Sequence, residues 1–266
     1  MIPKIIHYCW FGNNPLPDKV KKCMESWKKF CPDYKIMRWD ESNYDYNKNQ
    51  YISDAYKNKK WAFVADYARL DVVYQYGGIY LDTDVELIGN IDNLLSNHVF
   101  MAIEKYSKLV NTGLGFGAEP EAEELLDMKS VYDNLFFIKK DGSFNVIPCT
   151  KYTTDYLLQK GFVCEDKTQT LDRIKVYASD VFCPIDFETG KKTLTSNTLG
   201  IHWYDATWFS DHDKAIHNTE QKIKRMFPQP LSKVVCLIYR KGYRFIQYIK
   251  DGTMLENIKK KLHIKQ

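Results

Sequence analysis

Apolar positions from Trp61 to Tyr76 recur at helical spacing, with Ala62, Ala65, Arg69, Val72, Val73 and Tyr76 on one stripe, and the pattern stops at Gly77-Gly78. A glycine there can take the left-handed conformation that closes a helix. The period then changes. Residues 79–84, IYLDTD, form an apolar run ending in two carboxylates one residue apart, which predicts a buried strand with acids at its carboxyl end. In open α/β sheets that end is where ligands bind. Upstream, residues 4–9 and 34–39 predict strands on either side of a helix over 18–31, whose stripe is Val20, Met24, Trp27 and Cys31, with Asp18 as its cap and Pro32 ending it. Residues 40–50 read as a polar loop. The resulting β-α-β-α-β opening predicts a parallel, nucleotide-binding type of sheet. Downstream, the patterns predict helices over 90–97, 120–140 and 153–160, and strands over 99–104, 174–177, 181–187 and 199–202.

The pair Asp82 and Asp84 suits a hard divalent cation, Mn²⁺ or Mg²⁺, because oxygen ligands and a positive charge relieve the repulsion between two adjacent carboxylates. A solvated acidic turn is the alternative for an isolated Asp-x-Asp. Asp66 and Arg69, three apart, share one helix face, either as an intrahelical ion pair or as part of the same site. Trp10, on the loop leaving the first strand, either packs on the core or stacks on a base. His202 follows an apolar strand and is either a satisfied core group or a ligand.

The run ADYARLDVVYQYGGIYLDTD, the opening IIHYCWFG and the late HWYDATW resemble, in that order, the motifs of glycosyltransferase family 32 and of the related large glucosylating bacterial toxins. The resemblance implies a GT-A fold: one α/β domain of two abutting Rossmann-like halves around a mixed, mainly parallel sheet. It implies that Asp66, Arg69 and Asp82 are catalytic residues, with Asp66 and Arg69 holding the transferred sugar. Asp82, Asp84 and His202 would hold the metal. Tyr8 and Trp10 would bind the donor, Trp10 covering its base, while Asn111 would lie near the sugar and Trp208 over the pyrophosphate. Asp205 is a further candidate ligand. The implied activity is a metal-dependent, retaining transfer of a sugar from a nucleotide-sugar, a UDP-sugar being favoured. The acceptor would be a saccharide or lipid-linked oligosaccharide, in bacterial surface polysaccharide synthesis such as capsule or O-antigen. This chain has Thr207 where the family usually has Ser, and Ile147-Pro148 where Gly-Pro is usual. A metal-dependent phosphohydrolase and an inactive saccharide-binding scaffold of the same fold are the rival readings.

At 266 residues the chain suits one catalytic domain, placed at 1–220, with a helical appendage over 221–266. The formal net charge of +4 is unevenly spread: residues 222–266 hold twelve Lys and Arg against Asp251 and Glu256, leaving 26 basic against 32 acidic residues before them. An acidic body argues against nucleic-acid binding. In the tail, Leu231, Val234, Val235, Ile238, Phe245, Ile246 and Ile249 follow helical spacing, bordered by Lys233, Arg240, Lys241, Arg244 and Lys250 and by tyrosines. That pattern predicts either an anchor to an anionic membrane surface or an amphipathic helix docked on the core. Seven cysteines, no two within three residues, indicate neither a zinc knuckle nor a redox pair. With no signal-like or spanning run, the expected location is cytoplasmic and peripheral on the inner face of the membrane.

Overall fold

The computed structural model describes residues 1–204 and 211–250. They fall into two compact units, residues 1–187 with 191–204, and residues 188–190 with 211–250. The first opens with strand β1 (Ile5–Cys9), helix α1 (Asp18–Phe30), strand β2 (Lys35–Trp39), helices α2 (Gln50–Lys57) and α3 (Trp61–Tyr76), and strand β3 (Gly78–Tyr80). It continues through β4 (Val85–Leu87), β5 (Val99–Ala102), β6 (Phe116–Ala118), α4 (Glu123–Ser130), α5 (Cys149–Gln159), β7 (Gln169–Leu171), β8 (Ile174–Tyr177) and β9 (Gly200–His202). Seven strands form one mixed sheet in the order β2-β1-β3-β6-β5-β8-β7, while β4 and β9 pair separately. The first three strands are parallel, β3, β6 and β5 run antiparallel in turn, and β8 is again parallel to β5. This is the mixed α/β sheet expected, with its first half parallel and its second half mixed.

One apolar cluster joins the sheet to α2, α3 and α4, and a second carries Trp27 of α1 with Ile6, Tyr8 and Ile79. Helix α3 is buried almost all round from Val64 to Val73, which brings Asp66, Arg69 and Asp71 into the interior. A buried charge must be paired. Asp71 is held by Lys48 at 2.8 Å, Lys129 at 2.9 Å and the Tyr44 hydroxyl at 3.1 Å. Burial pushes its carboxyl up, but the two ammonium groups outweigh that and hold it below the usual range. Asp71 is therefore structural.

The Gly77-Gly78 junction has a specific cause. Gly78 sits at φ +106°, and a Cβ there would lie 2.8 Å from the Ile5 carbonyl oxygen and 3.0 Å from His7 Nε2, so only glycine fits without displacement. Trp39 Nε1–H donates to His7 Nδ1 at 3.0 Å, leaving His7 Nε2–H to donate to the Gly77 carbonyl at 2.8 Å. Burial pushes the His7 pKa down to about 4, against the pull of the Gly77 hydrogen bond. The unfolded chain then binds the extra proton between about pH 6.5 and 4, so stability is full above that window and falls as pH drops through it. The expected loss is roughly 3 kcal/mol by pH 4. Urea denaturation at pH 7 and pH 4.5 checks this, and identical midpoints would contradict it.

Several expected elements are replaced. The helix expected over 120–140 ends at Ser130, passes through a 3-10 turn at Val131–Asn134, and gives way to a short hairpin in which Ile138 pairs with Phe144. Leu135 is already extended there, and Phe137 alone of residues 136–138 enters the core. The strand expected over 181–187 is a buried turn, Val181 N–H donating to Ala178 and Cys183 N–H to Ser179, and Pro184 has no N–H for a ladder. The helix over 90–97 shrinks to Asp92–Leu94. Helix α2 and strand β7 were not expected. In the second unit α6 (Asp211–Met226) runs across residue 220 and packs on α7 (Leu231–Lys250). The division therefore falls before α6, earlier than the expected 220/221, because α6 buries Glu220 against α7.

Candidate active site

The carboxyl edge of β1, β2 and β3 carries the site. Beyond β3 the chain turns sharply, Val85 N–H donating to the Asp82 carbonyl at 3.0 Å, and the carboxylates of Asp82 and Asp84 lie close together across that turn. Strand β4 then pairs with β9 in a register that sets His202 opposite Val85, and Trp203 N–H donates to the Asp84 carbonyl at 3.0 Å. His202 Nε2 lies 3.3 Å from Asp84 Oδ1. One ligand atom each from Asp82, Asp84 and His202 lie within 4.8 Å of one another.

On the other side of Asp82 stands the α3 face. Arg69 Nη2 is 3.1 Å from Asp66 Oδ1 and 3.3 Å from Asp82 Oδ1, so one guanidinium bridges both carboxylates. The Tyr80 hydroxyl donates to Asp82 Oδ1 at 3.0 Å, and the Arg69 guanidinium lies 5.0 Å from the Tyr80 ring centroid. Burial raises the Asp82 carboxyl, opposed by Arg69 and reinforced by the Asp84 charge, with a net upward shift. Asp66 is likewise raised, by burial first. For His202 burial pulls the pKa down, but the neighbouring Asp84 carboxylate outweighs it and the net shift is upward. Asp82, Asp84 and His202 together offer two carboxylate oxygens and one imidazole nitrogen, a donor set that a divalent cation suits, and its positive charge would relieve the repulsion that helps raise the Asp82 carboxyl.

Asp66, Arg69, Asp82, Asp84 and His202 are thus brought together. Trp10 is half-buried just beyond β1, its N–H donating to the Trp39 carbonyl at 2.9 Å and its indole Nε1–H to the Asn14 carbonyl at 2.7 Å. Tyr8 is a core residue, edge-on to Trp27 with 5.8 Å between ring centroids. Asn111 forms a turn: its Oδ1 accepts the Gly113 N–H at 2.7 Å, and the Gly113 carbonyl accepts from Asp82 N–H at 3.1 Å. Its part in the site is to hold that loop. Trp208, Asp205 and Thr207 lie outside the described residues.

Four residues were missed. Gly113 is packed so tightly that a Cβ would lie 2.1 Å from Asp82 Oδ2. Cys149, the first residue of α5, has its Sγ 3.8 Å from Arg69 Nη1 and 3.7 Å from the Thr112 hydroxyl oxygen. Tyr80 shares a strand face with Asp82 two residues on, a signal that alternation provides. Cys149 and Thr112 reach the site through tertiary contact, which no local pattern announces.

Residues 17–101 match the family model described as a glycosyltransferase sugar-binding region containing a DXD motif. The chain is 35% identical over 123 residues to inositol phosphoceramide mannosyltransferase 3 of Schizosaccharomyces pombe, covering 43% of this chain and 33% of that one. It is 32% identical over 145 residues to mannosyl phosphorylinositol ceramide synthase SUR1 of Saccharomyces cerevisiae, covering 52% and 37%. The chain therefore spans about a third of the length of these two curated relatives. Among solved structures it is similar to a glycosyltransferase involved in the glycosylation of the major capsid of PBCV-1, at 12% identity and a TM-score of 0.48 over 83% of this chain and 100% of that one. These matches agree with the family-32 resemblance read from the ordered motifs, the family model reaching residues 17–101.

Proposed function

We propose that this chain is a metal-dependent glycosyltransferase that moves a sugar from a nucleotide-sugar donor to a saccharide-bearing acceptor. The observation that carries the reading is the convergence of Asp82, Asp84 and His202 within 4.8 Å, directly beside the buried Asp66–Arg69 pair. Asp82, Asp84 and His202 would hold a divalent cation, which would supply Lewis-acid neutralisation of the charge that develops on the leaving pyrophosphate. Asp66 and Arg69 orient the donor sugar by hydrogen bonds from a rigid, buried helix face, which lowers the entropic part of the barrier. Arg69 keeps its charge: burial opposes it, but Asp82 and Asp66 outweigh burial and hold its pKa above the usual guanidinium value. Retention of anomeric configuration belongs to this reading. Donor binding measured by calorimetry across UDP- and GDP-sugars, with and without Mn²⁺, tests it, and metal-independent affinity for every donor would refute it.

In this reading the nucleotide lies at the β1 edge, where Trp10 covers its base and Tyr8 and Asn111 scaffold the same edge. Trp10→Ala is expected to weaken UDP and UDP-sugar binding alike by about 1 to 3 kcal/mol. If the unfolding temperature falls while UDP affinity holds, Trp10 serves the core instead.

The names of the two fungal relatives favour a lipid-borne acceptor over a surface polysaccharide. No helix among the described residues is long and apolar enough to cross a membrane, and the second unit supports peripheral attachment. Helix α7 packs on α6 with its small and polar side: Ser232 and Cys236 are buried, and Arg240 is paired with the buried Glu220. Its apolar side faces out, with Leu231, Val234 and Ile238 each about half exposed or more. A helix that docks through its polar side keeps its apolar stripe for another surface, and the bordering exposed Lys233 and Lys241 suit anionic headgroups. At about 1 kcal/mol per basic residue near the surface, sedimentation with anionic liposomes should be strong at low salt and weak at high salt. Salt-independent or absent sedimentation would remove the anchor.

A further inference from the structure

The hairpin over residues 136–147 breaks the usual rule for a two-stranded element at a surface, which is apolar inward and polar outward. Its inward side is as expected. Phe137 is fully buried and stacks on Phe144 with 5.2 Å between ring centroids, and Asn145, also buried, donates from its backbone to the Phe137 carbonyl at 2.7 Å and from its side chain to the Tyr152 hydroxyl at 3.2 Å. The outward side is apolar: Phe136 is 66% exposed, Ile138 39%, Val146 60% and Ile147 42%. Phe136 and Ile138 flank the buried Phe137, and Val146 and Ile147 follow the buried Asn145.

Charge surrounds this patch asymmetrically. Lys139 and Lys140 stand exposed on the hairpin tip, and Lys60, also exposed, sits 5.7 Å from the Phe144 ring centroid with Lys59 next to it. Against these four cations stand Asp141, tied to Ser143 by two hydrogen bonds, and Asp133, tied to Asn49. Lys151 is neutralised by Asp155. The hairpin then runs without a break through Pro148 into Cys149, whose thiol touches Arg69 and Thr112. An apolar face rimmed by excess positive charge is the composition of an interfacial membrane contact, and this one is joined through Pro148 alone to the floor of the candidate active site.

We infer that the outward face of residues 136–147 is a bilayer-contact surface for anionic lipid, separate from that of α7, and that it seats the active site at the headgroup layer. The functional consequence rests on the glycosyltransferase reading; the contact itself does not. It implies that the acceptor is met while still embedded, its glycosylated headgroup entering beside Cys149.

The test uses the full chain and vesicles of phosphatidylcholine with phosphatidylserine, some carrying brominated acyl chains. Phe136→Trp keeps an aromatic at the most exposed position, and the emission of this variant should shift to the blue and be quenched by brominated lipid beyond the quenching of the wild type. Phe136→Ser combined with Ile138→Ser should lower vesicle partitioning by about tenfold while the unfolding temperature and donor binding stay at wild-type values. The inference is overturned if brominated lipid quenches the Phe136→Trp variant no more than the wild type. It is equally overturned if light scattering shows that the wild type self-associates and the double substitution makes it monomeric, since a second copy then covers the patch. Quenching in a protein that transfers no sugar from any donor would support the contact and refute the glycosyltransferase reading alone.

Discussion

Asp84→Asn is expected to abolish metal-dependent donor binding and sugar transfer while leaving the protein folded. The substitution changes almost no volume, but it removes one of two anionic ligands from a set whose three atoms lie within 4.8 Å. It also removes the carboxylate 3.3 Å from His202 Nε2, the group that holds the imidazole pKa up. Losing a residue that merely supports a metal ligand costs about 10- to 100-fold, so losing a ligand should cost at least about 100-fold in Mn²⁺-dependent donor affinity. Stability should barely change, because Asp84 adds to the burden on Asp82 by raising its carboxyl and that burden is lifted. Calorimetry in Mn²⁺ and a thermal melt on the same sample separate the two effects. Wild-type donor affinity in Mn²⁺ would mean that the cation, if bound, is held elsewhere.

The residues legible in the sequence are those whose signal is local. Asp66 and Arg69 are one helical turn apart, and the apolar stripe around them shows that their helix is buried. Asp82 and Asp84 end an apolar run. The convergence of these two acids was not legible, because it depends on the turn from Asp82 to Val85 and on the β4–β9 register that delivers His202 from 118 residues further on. His202 itself stood between two readings until that register joined it to Asp84. Gly113 and Cys149 gave no local sign for the same reason: each acts by where it packs.

The wrong elements have a related cause. Leu125, Met128, Tyr132 and Leu135 are spaced as a helix face, so the pattern runs past the true end at Ser130. The hairpin that follows offers only three residues in each arm, too few for a period of two to emerge against it. Residues 181–187 are apolar enough for a strand yet fold as a buried turn, a case where composition reports burial and not geometry. For α7 the stripe was visible, but whether it faces the protein or not depends on what α6 offers it. Glu220, buried and bound to Arg240, draws the polar side of α7 inward.

Gly113→Ala is the second change expected to have a large effect, and its consequence should fall on activity far more than on stability. The Gly113 φ lies outside the left-handed region, so alanine meets no backbone obstacle. The obstacle is the site. The new methyl would lie 2.1 Å from Asp82 Oδ2 and 3.1 Å from Arg69 Nη1. The loop has little room to retreat, since the Gly113 N–H is held by Asn111 and its carbonyl by Asp82 N–H. The Asp82 carboxylate must therefore swing away, losing the Tyr80 hydroxyl and its contact with Arg69. A displacement of about 1 Å at a reacting centre costs about 100-fold in rate, whereas the added methyl costs about 1 to 3 kcal/mol of stability. The direction of the swing makes the result diagnostic. Asp82 serves both the cation set and the Arg69 bridge, so Mn²⁺ affinity and transfer should fall together, and excess Mn²⁺ should restore binding without restoring the rate. Transfer at the wild-type rate, with an unchanged melting temperature, would mean that Asp82 points away from the cation when the enzyme is active and that Asp84 and His202 hold it alone.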